Sequence, residues 1–488
     1  MRARLPASMC KPHNGKMQSK PDPAPVPIRP DTSSWDREPL TPGHRRLAMM
    51  ALCCAIALSA LSLTGLSVAL PVMAHELRLA PATAVWLVSG FQLALVATVF
   101  PFSILGEKFG YWRIFALGLS MIAVASVICS NAGSFEWLLA GRMLQGLGAS
   151  AVMAVMPALL RLSVSASRLG QTLGFTAMVV ALSTALGPSL AALILSVGHW
   201  RWLFVLNLPW AMLALGLGWM ALPRQVQAPE RRFDVVAALL NVTTFVLAVA
   251  AFDGLAAGRW SAVVLLAAAP LCGWILYRHQ RDRLAPMLPL DLLRNPQVSA
   301  SVGASIFAFA AQMSALVSLP FLLHDVFHLD LIATGMALMA WPLAVAFMSP
   351  LAARAERRFS SSYLCSFGGA LQFAALLAIA TFAVRLSVPL LVLLMAVCGI
   401  GFGFFQTPNN RAMLGATPRE RSGSAGGLQA TARLTGQTLG ATVVGMSFRL
   451  QPGDTGAACA LALLAAAVFA AASAGFSLRR GAVQTLAA

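Results

Sequence analysis

Between residues 47 and 478 the chain repeats one pattern, a long apolar run followed by a short polar break rich in Gly, Pro, Arg and Lys. A helix needs about 20 residues to cross the hydrocarbon of a bilayer, and each run has that length, so each predicts a membrane span. The spans fall near 47–73, 83–105, 113–131, 136–160, 169–198, 203–222, 235–253, 261–277, 297–323, 334–353, 361–384, 388–410, 424–448 and 455–478, fourteen in all. Residues 1–46 lack the pattern. They are rich in Pro, Lys, Arg and Ser and hold five prolines between Pro21 and Pro30, which predicts a disordered tail. The first run, from Leu47, lies too deep and is too long for a cleaved signal peptide.

Composition agrees with the pattern. Of the 488 residues 58% are hydrophobic and 11% charged, where a soluble domain carries about 25% charged residues. The net charge of +18 would, in a soluble protein, point to nucleic acid. Here the charge is distributed by loop: the tails and alternate loops hold nine basic residues before Leu47 and 19 after it, whereas the opposite loops hold five. The positive-inside rule therefore places both termini in the cytoplasm, and no nucleic-acid partner is expected. Trp86, Trp137, Trp200, Trp202 and Trp260 fall at outer span ends, where amphipathic rings prefer to sit. The eight cysteines form neither a disulfide framework nor a metal pair, so no metal or cofactor is expected.

Leu105–Arg113 joins spans two and three. Gly106 and Gly110 allow a tight turn, and Glu107 stands within reach of Lys108, Arg113 and Arg161. On spacing alone an ordinary turn is favoured, its surface pairs worth about 0–1 kcal/mol. The loop resembles the signature Gly-x-Leu-Ala-Asp-Arg-x-Gly-Arg-Arg of the major facilitator superfamily, with Ser103 at the first Gly and Glu107 for the Asp. The resemblance implies that Glu107, Lys108, Gly110, Arg113 and Arg161 form a conformational gate.

Further stretches carry the same likeness. Arg142-Met143-Leu144-Gln145-Gly146-Leu147-Gly148 in span four resembles the fourth-helix motif, with Arg142 about 9 Å below the outer edge. At that depth an arginine either faces the bundle interior or snorkels to the interface. Gly187-Pro188 in span five resembles the antiporter motif Gly-Pro-x-x-Gly-Gly and predicts a hinge, with Ala191-Ala192 in place of the last pair. Trp200–Pro209, Phe405–Arg411 and Ala430–Gln437 resemble the fourteen-span drug:proton antiporter branch. A weak repeat, Ala355–Ser360 after span ten against Gly106–Gly110 after span two, fits two parallel halves.

The fold class expected is thus an all-α integral membrane protein with the major facilitator fold. Residues 47–222 make one six-helix half and 297–478 the other. Residues 223–296 insert two helices with cytoplasmic linkers, and 479–488 form a second tail. By resemblance, spans one, four, nine and twelve line a cavity carrying Ser59, Ser62, Thr64, Ser67, Arg142, Gln145, Gln312, Gln406 and Asn409. Ser62 stands where the branch has a helix-one Asp, and all 17 acidic residues and seven histidines lie in tails, loops or near span ends. The groups left for proton coupling are Glu136, Asp253, His324 and Asp325, whose alternative role is that of solvated loop-edge charges.

The family implies a monomeric transporter of a bacterial-type inner membrane, with efflux of toxic compounds driven by protons. The competing function is uptake of a vitamin-like or aromatic nutrient. A membrane transferase would need clustered carboxylates for Mg²⁺, and the chain has no Asp-rich pair near a span end.

Overall fold

A computed structural model describes residues 41–164, 166–224, 234–256, 258–281, 290–382, 386–417 and 422–487. Residues 1–40 of the expected tail and Arg231, Arg232, Arg283, Arg385, Arg419 and Arg421 lie outside them. The helices are α1 (Pro42–Glu76), α2 (Pro81–Phe109), α3 (Tyr111–Ser130), α4 (Phe135–Ser163), α5 (Ala166–Val197), α6 (Trp202–Val205), α7 (Asn207–Ala221), α8 (Val235–Ala256), α9 (Ser261–Arg281), α10 (Pro296–Phe321), α11 (Leu331–Ala355), α12 (Ser361–Phe382), α13 (Val388–Gly415), α14 (Ser422–Leu450) and α15 (Thr455–Ala487). Their starts follow local chemistry. Pro42, Pro81 and Pro296 occupy first-turn positions that need no N–H donor, and Thr41, Asn295 and Asp330 cap α1, α10 and α11 by accepting from backbone N–H groups. Gly110, at φ 100°, makes the turn from α2 to α3.

Against the fourteen spans expected, twelve helices among the described residues are long and apolar enough to cross a membrane, with α6 and α7 counted as one. The two other long helices are α5, with a shorter apolar stretch at Leu182–Val197, and α14. The sequence of α14 carries Gln429, Arg433 and Gln437 among six glycines, and it packs on α2, α8, α10, α13 and α15. A helix covered on several sides by other helices does not need a lipid-compatible surface. The last helix, α15, runs through Ala487, past the span end expected at residue 478.

The face where α1 begins is called proximal here, and the face where it ends distal. Pairs of helices on the two sides of the molecule are built alike. Gly118 of α3 and Gly148 of α4 meet so closely that a Cβ on either would overlap the other's carbonyl oxygen, and Gly368 of α12 and Gly401 of α13 do the same. Gly118 and Gly368 are each the eighth residue of their helix, and Gly148 and Gly401 the fourteenth. Gly146 likewise abuts Phe91 of α2 as Gly399 abuts Trp341 of α11. In a bilayer, close packing of small residues holds helices together, because burying apolar surface from lipid gains little.

The largest core shared by the two halves lies toward the distal face. Leu66, Leu70 and Met73 of α1 and Val85 of α2 join Phe321, Leu338, Val444 and Phe448 there in one cluster. Toward the proximal face the cores divide: Leu52, Phe115 and Val155 belong to one cluster, and Phe309, Phe402 and Phe405 to another. Burial along α1 follows this division, with every residue from Thr64 to Pro71 buried and Ser59 to Leu63 only half-buried. Apolar packing thus joins the halves most extensively at the distal face, while α14 also follows α2 from Val85 to Phe100. Helices α8 and α9 pack on one another beside α2 and α14 and expose Leu239, Val263 and Leu271 outward.

Candidate functional site

The larger cavity lies between the halves. Thr184 and Pro188 of α5 form one wall, and Gln312, Leu316 and Leu319 of α10, Leu338, Trp341 and Pro342 of α11 and Met395 of α13 form the rest, around about 420 Å³ of empty space. Gln312 and Leu316 are the two positions between Ala308 and Leu323 that are not fully buried, because they face this cleft. The Trp341 indole N–H is buried with no hydrogen-bond partner, so the cleft's polar groups are few and partly unspent. A smaller cavity of about 190 Å³ lies inside the first half and is lined by Leu58, Ser59, Ser62, Phe91, Ile122, Gln145 and Ala149.

The residues expected to line one cavity are therefore distributed. Ser59, Ser62 and Gln145 line the small one and Gln312 the large one, whereas Gln406 is half-buried and lines neither. Thr64 and Ser67 are buried and turn their hydroxyls back to the carbonyls of Ala60 and Thr64. Ser62, at the expected Asp position, donates to Asn207 at 3.3 Å.

Arg142, expected to charge the cavity, is fully buried within the first half. Its Nε donates to the Leu87 carbonyl at 3.1 Å, one terminal nitrogen to Gln145 Oε1 at 2.6 Å, and its guanidinium lies 4.4 Å from the Phe91 ring centroid. Gln145 then donates to Ser126, so one arginine ties α4 to α2 and α3. It neither snorkels nor lines either cavity, because α2 covers it. Asn409 serves a similar clamp in the second half. It donates to the Ser301 carbonyl and to Ser305, and accepts from Arg480 at 2.7 Å. Arg480, grouped in the sequence with a cytoplasmic tail, is 1% exposed and also donates to Ser301, Ser362 and Cys365. Its position near a chain end hid this role, and the length of α15 was the available signal.

Of the expected gate, Lys108, Arg113 and Arg161 are exposed at the proximal face, and Glu107 and Arg161 both act electrostatically on Tyr111. Gly106 lets α2 approach Val155 of α4. At the expected hinge, Gly187 abuts Thr64, and the Ala191–Ala192 pair that replaces two glycines packs against Gly65 and Gly335 on the facing helices. The small residues needed for close approach are supplied by the partners. Ser189 donates to the Gly335 carbonyl at 3.4 Å across the halves.

The acidic candidates separate clearly. Glu136 is exposed. Asp253 at the end of α8 pairs with Arg449 at 2.8 Å and accepts from Trp86 at 3.1 Å, tying the inserted helices to both halves. Asp325, 16% exposed, stands 3.5 Å from His75 and so bridges the distal end of α1 to the π turn Leu322–Val326 that continues α10. His324 faces the Leu329 carbonyl at 3.2 Å.

Near mid-depth a further link crosses the halves, where Gln92 of α2 donates to Gln437 of α14 at 3.4 Å and leaves its own Oε1 buried and unpaired.

The chain matches the model of the Major Facilitator Superfamily over residues 52–441. It is 38% identical over 430 residues to the uncharacterized transporter YebQ of Escherichia coli K12, covering 86% of this chain and 94% of that one. It is 26% identical over 400 residues to the riboflavin transporter RibZ of Clostridioides difficile, covering 81% and 86%. Over 385 residues it is 27% identical to the multidrug resistance protein Stp of Mycobacterium tuberculosis, covering 78% and 71%.

Proposed function

This chain belongs to the Major Facilitator Superfamily, and from that premise we propose that it exports a small organic molecule by alternating access. One observation carries the reading: a largely apolar cleft whose walls come from both halves, beneath a core that the halves share toward the distal face. A site between two rocking halves is the architecture that exposes one ligand to each side in turn. In this reading α5 and α14 also span, fourteen helices in all as in the drug:proton antiporter branch. The course of α14 beside α2, from Phe100 to Val85, supports it. The basic proximal loops make that face cytoplasmic in a bacterial inner membrane, with both termini there. Export is favoured by the likeness to Stp, a multidrug resistance protein.

Protons are the coupling ion in this reading, and Asp325 is the group that carries them. Its pairing with His75 joins the halves where they must part for outward opening. Protonating Asp325 from the distal side removes its charge, weakens that seam and favours release of substrate outward. Asp325→Asn is expected to leave substrate binding intact and to abolish the dependence of transport on an imposed pH gradient, measured in proteoliposomes. Transport that still follows the gradient would remove Asp325 from the mechanism.

The competing reading, uptake of a neutral aromatic nutrient, is favoured by the cleft itself, where Trp341 and Gln312 offer the hydrogen-bonding groups among apolar walls. RibZ, a riboflavin transporter, is a relative in that sense. Accumulation of dyes and aromatic nutrients in cells with and without the transporter, before and after a protonophore, separates the two. Export predicts lower dye content that rises when the gradient collapses. Under either reading Trp341→Phe is expected to raise KM about fivefold or more, since a desolvated donor to the ligand is lost, with kcat little changed. An unchanged KM would place the ligand elsewhere.

A further inference from the structure

Three arginines lie within the described helices away from their ends or buried near them: Arg142, Arg480 and Arg433. Arg142 and Arg480 spend donors on neutral acceptors inside one half each, although one terminal nitrogen of Arg142 is also buried without a partner. Arg433 is different. It is half-buried, its Nε is buried without a partner, and among the described residues nothing hydrogen-bonds or ion-pairs with it.

Its direction follows from its neighbours on α14. Gly436 and Gly440 abut Ile306 and Ala310 of α10. Gly427 faces Phe100 of α2, Gly445 faces Val85, and Leu434 is buried in the core of the first half. At about 100° per residue, Arg433 falls between these two occupied faces, one turn proximal of Gln437. Gln437 accepts from Gln92 of the other half, so this third face of α14 looks into the space between the halves. Arg433 lies 11 residues from Ser422, about 16 Å along the helix and so near the middle of a hydrocarbon layer about 30 Å thick.

A cation at that depth is costly unless water or a counter-ion reaches it. The acidic residues, at tails, loops and span ends, supply no carboxylate there. Arg433 is only half-buried, so part of its side chain stays accessible, and a guanidinium presents a planar fork suited to two oxygens of one oxyanion.

We propose that Arg433 is the anchor for the anionic group of the substrate, and that the transported class is organic oxyanions, carboxylates above all. This rests on the reading of the chain as a transporter. An anion held there sits beside the Gln92–Gln437 link, where its arrival is felt by both halves.

The test uses the full-length protein, purified and reconstituted, with benzoate, salicylate and decanoate as probes, the matching neutral amides, and tetraphenylphosphonium. Thermal unfolding reads binding, and flux into proteoliposomes reads transport. Saturable stabilisation by the carboxylates is expected in the wild type. Arg433→Gln should weaken it at least about tenfold without changing the response to the amides, and Arg433→Lys should restore part of it. Carboxylates that stabilise Arg433→Gln as well as the wild type, or a wild type that answers none of them, overturn the assignment. So does Arg433-dependent stabilisation by phosphatidylglycerol alone, which would give the site to a lipid phosphate. If amides or tetraphenylphosphonium are still transported while carboxylates are not, the transporter reading survives and the anion site falls. If the wild type moves no compound, the transporter reading itself fails.

Discussion

Arg142→Ala is expected to yield little folded protein. The substitution removes two charge-assisted hydrogen bonds and a cation–π contact from a fully buried place, and leaves Gln145 Oε1 and the Phe91 ring facing a void. Losses of this kind amount to about 3 kcal/mol or more, a large share of the stability of a typical domain. The internal repeat names the rescue. Arg142 is the eighth residue of α4, beside Phe91, and Met395 is the eighth residue of α13, on the cleft that Trp341 lines. Arg142→Met fills the same volume with an apolar chain of proven fit in the equivalent helix, so it should recover most of the yield. Fluorescence-detected size exclusion and thermal unfolding in detergent check both variants. Wild-type yield from Arg142→Ala would sink the clamp. A well-folded Arg142→Met that no longer transports would give the arginine a role beyond the clamp.

Gly148→Leu and Gly401→Leu should each disrupt the helix pair in which the glycine sits, and by similar amounts. At both places the new side chain starts from a Cβ that overlaps a backbone carbonyl of the facing helix, and a carbonyl within a helix has no rotamer to escape into. Overpacking costs about 1–3 kcal/mol where side chains can yield, and more is expected where the backbone must separate. Gly216 on α7 offers the control, since a Cβ there meets nothing within 4 Å and Gly216→Leu should unfold within a degree or so of the wild type. If the two halves are equivalent, the midpoints for Gly148→Leu and Gly401→Leu fall together. A tolerated Gly401→Leu beside a lethal Gly148→Leu would mean that the second half packs more loosely than the repeat implies.

How far the site was legible depended on what each residue needed to be recognised. A proline inside α5 was legible, because Gly187-Pro188 acts through the backbone of its own helix. The close packing around it was not, because Gly65 and Gly335 that receive Ala191 and Ala192 are more than 100 positions away in sequence. Arg142 and Arg433 illustrate the limit. Both are arginines inside apolar runs, and depth alone allowed either to snorkel. Only the packing of α2 over Arg142, set against the absence of a hydrogen-bond or ion-pair partner for Arg433 among the described residues, separates a structural clamp from an unspent charge. In the sequence Asp325 fits either a coupling group or a loop-edge charge, and His75, 250 positions earlier, stands opposite it only in the fold.

The sequence by itself determined where most of the helices lie along the chain, since bilayer thickness sets run length, and its basic residues carry the orientation proposed above. It also determined that no acidic group sits at mid-depth. Tertiary structure alone decided which of the buried arginines is spent, where the halves touch, and that α5 and α11 wall the cleft together with α10 and α13, the ninth and twelfth spans, while the first and fourth spans line the smaller cavity. Those facts depend on which face each helix turns to a distant neighbour, a choice made by small residues meeting across the bundle and invisible in any one run.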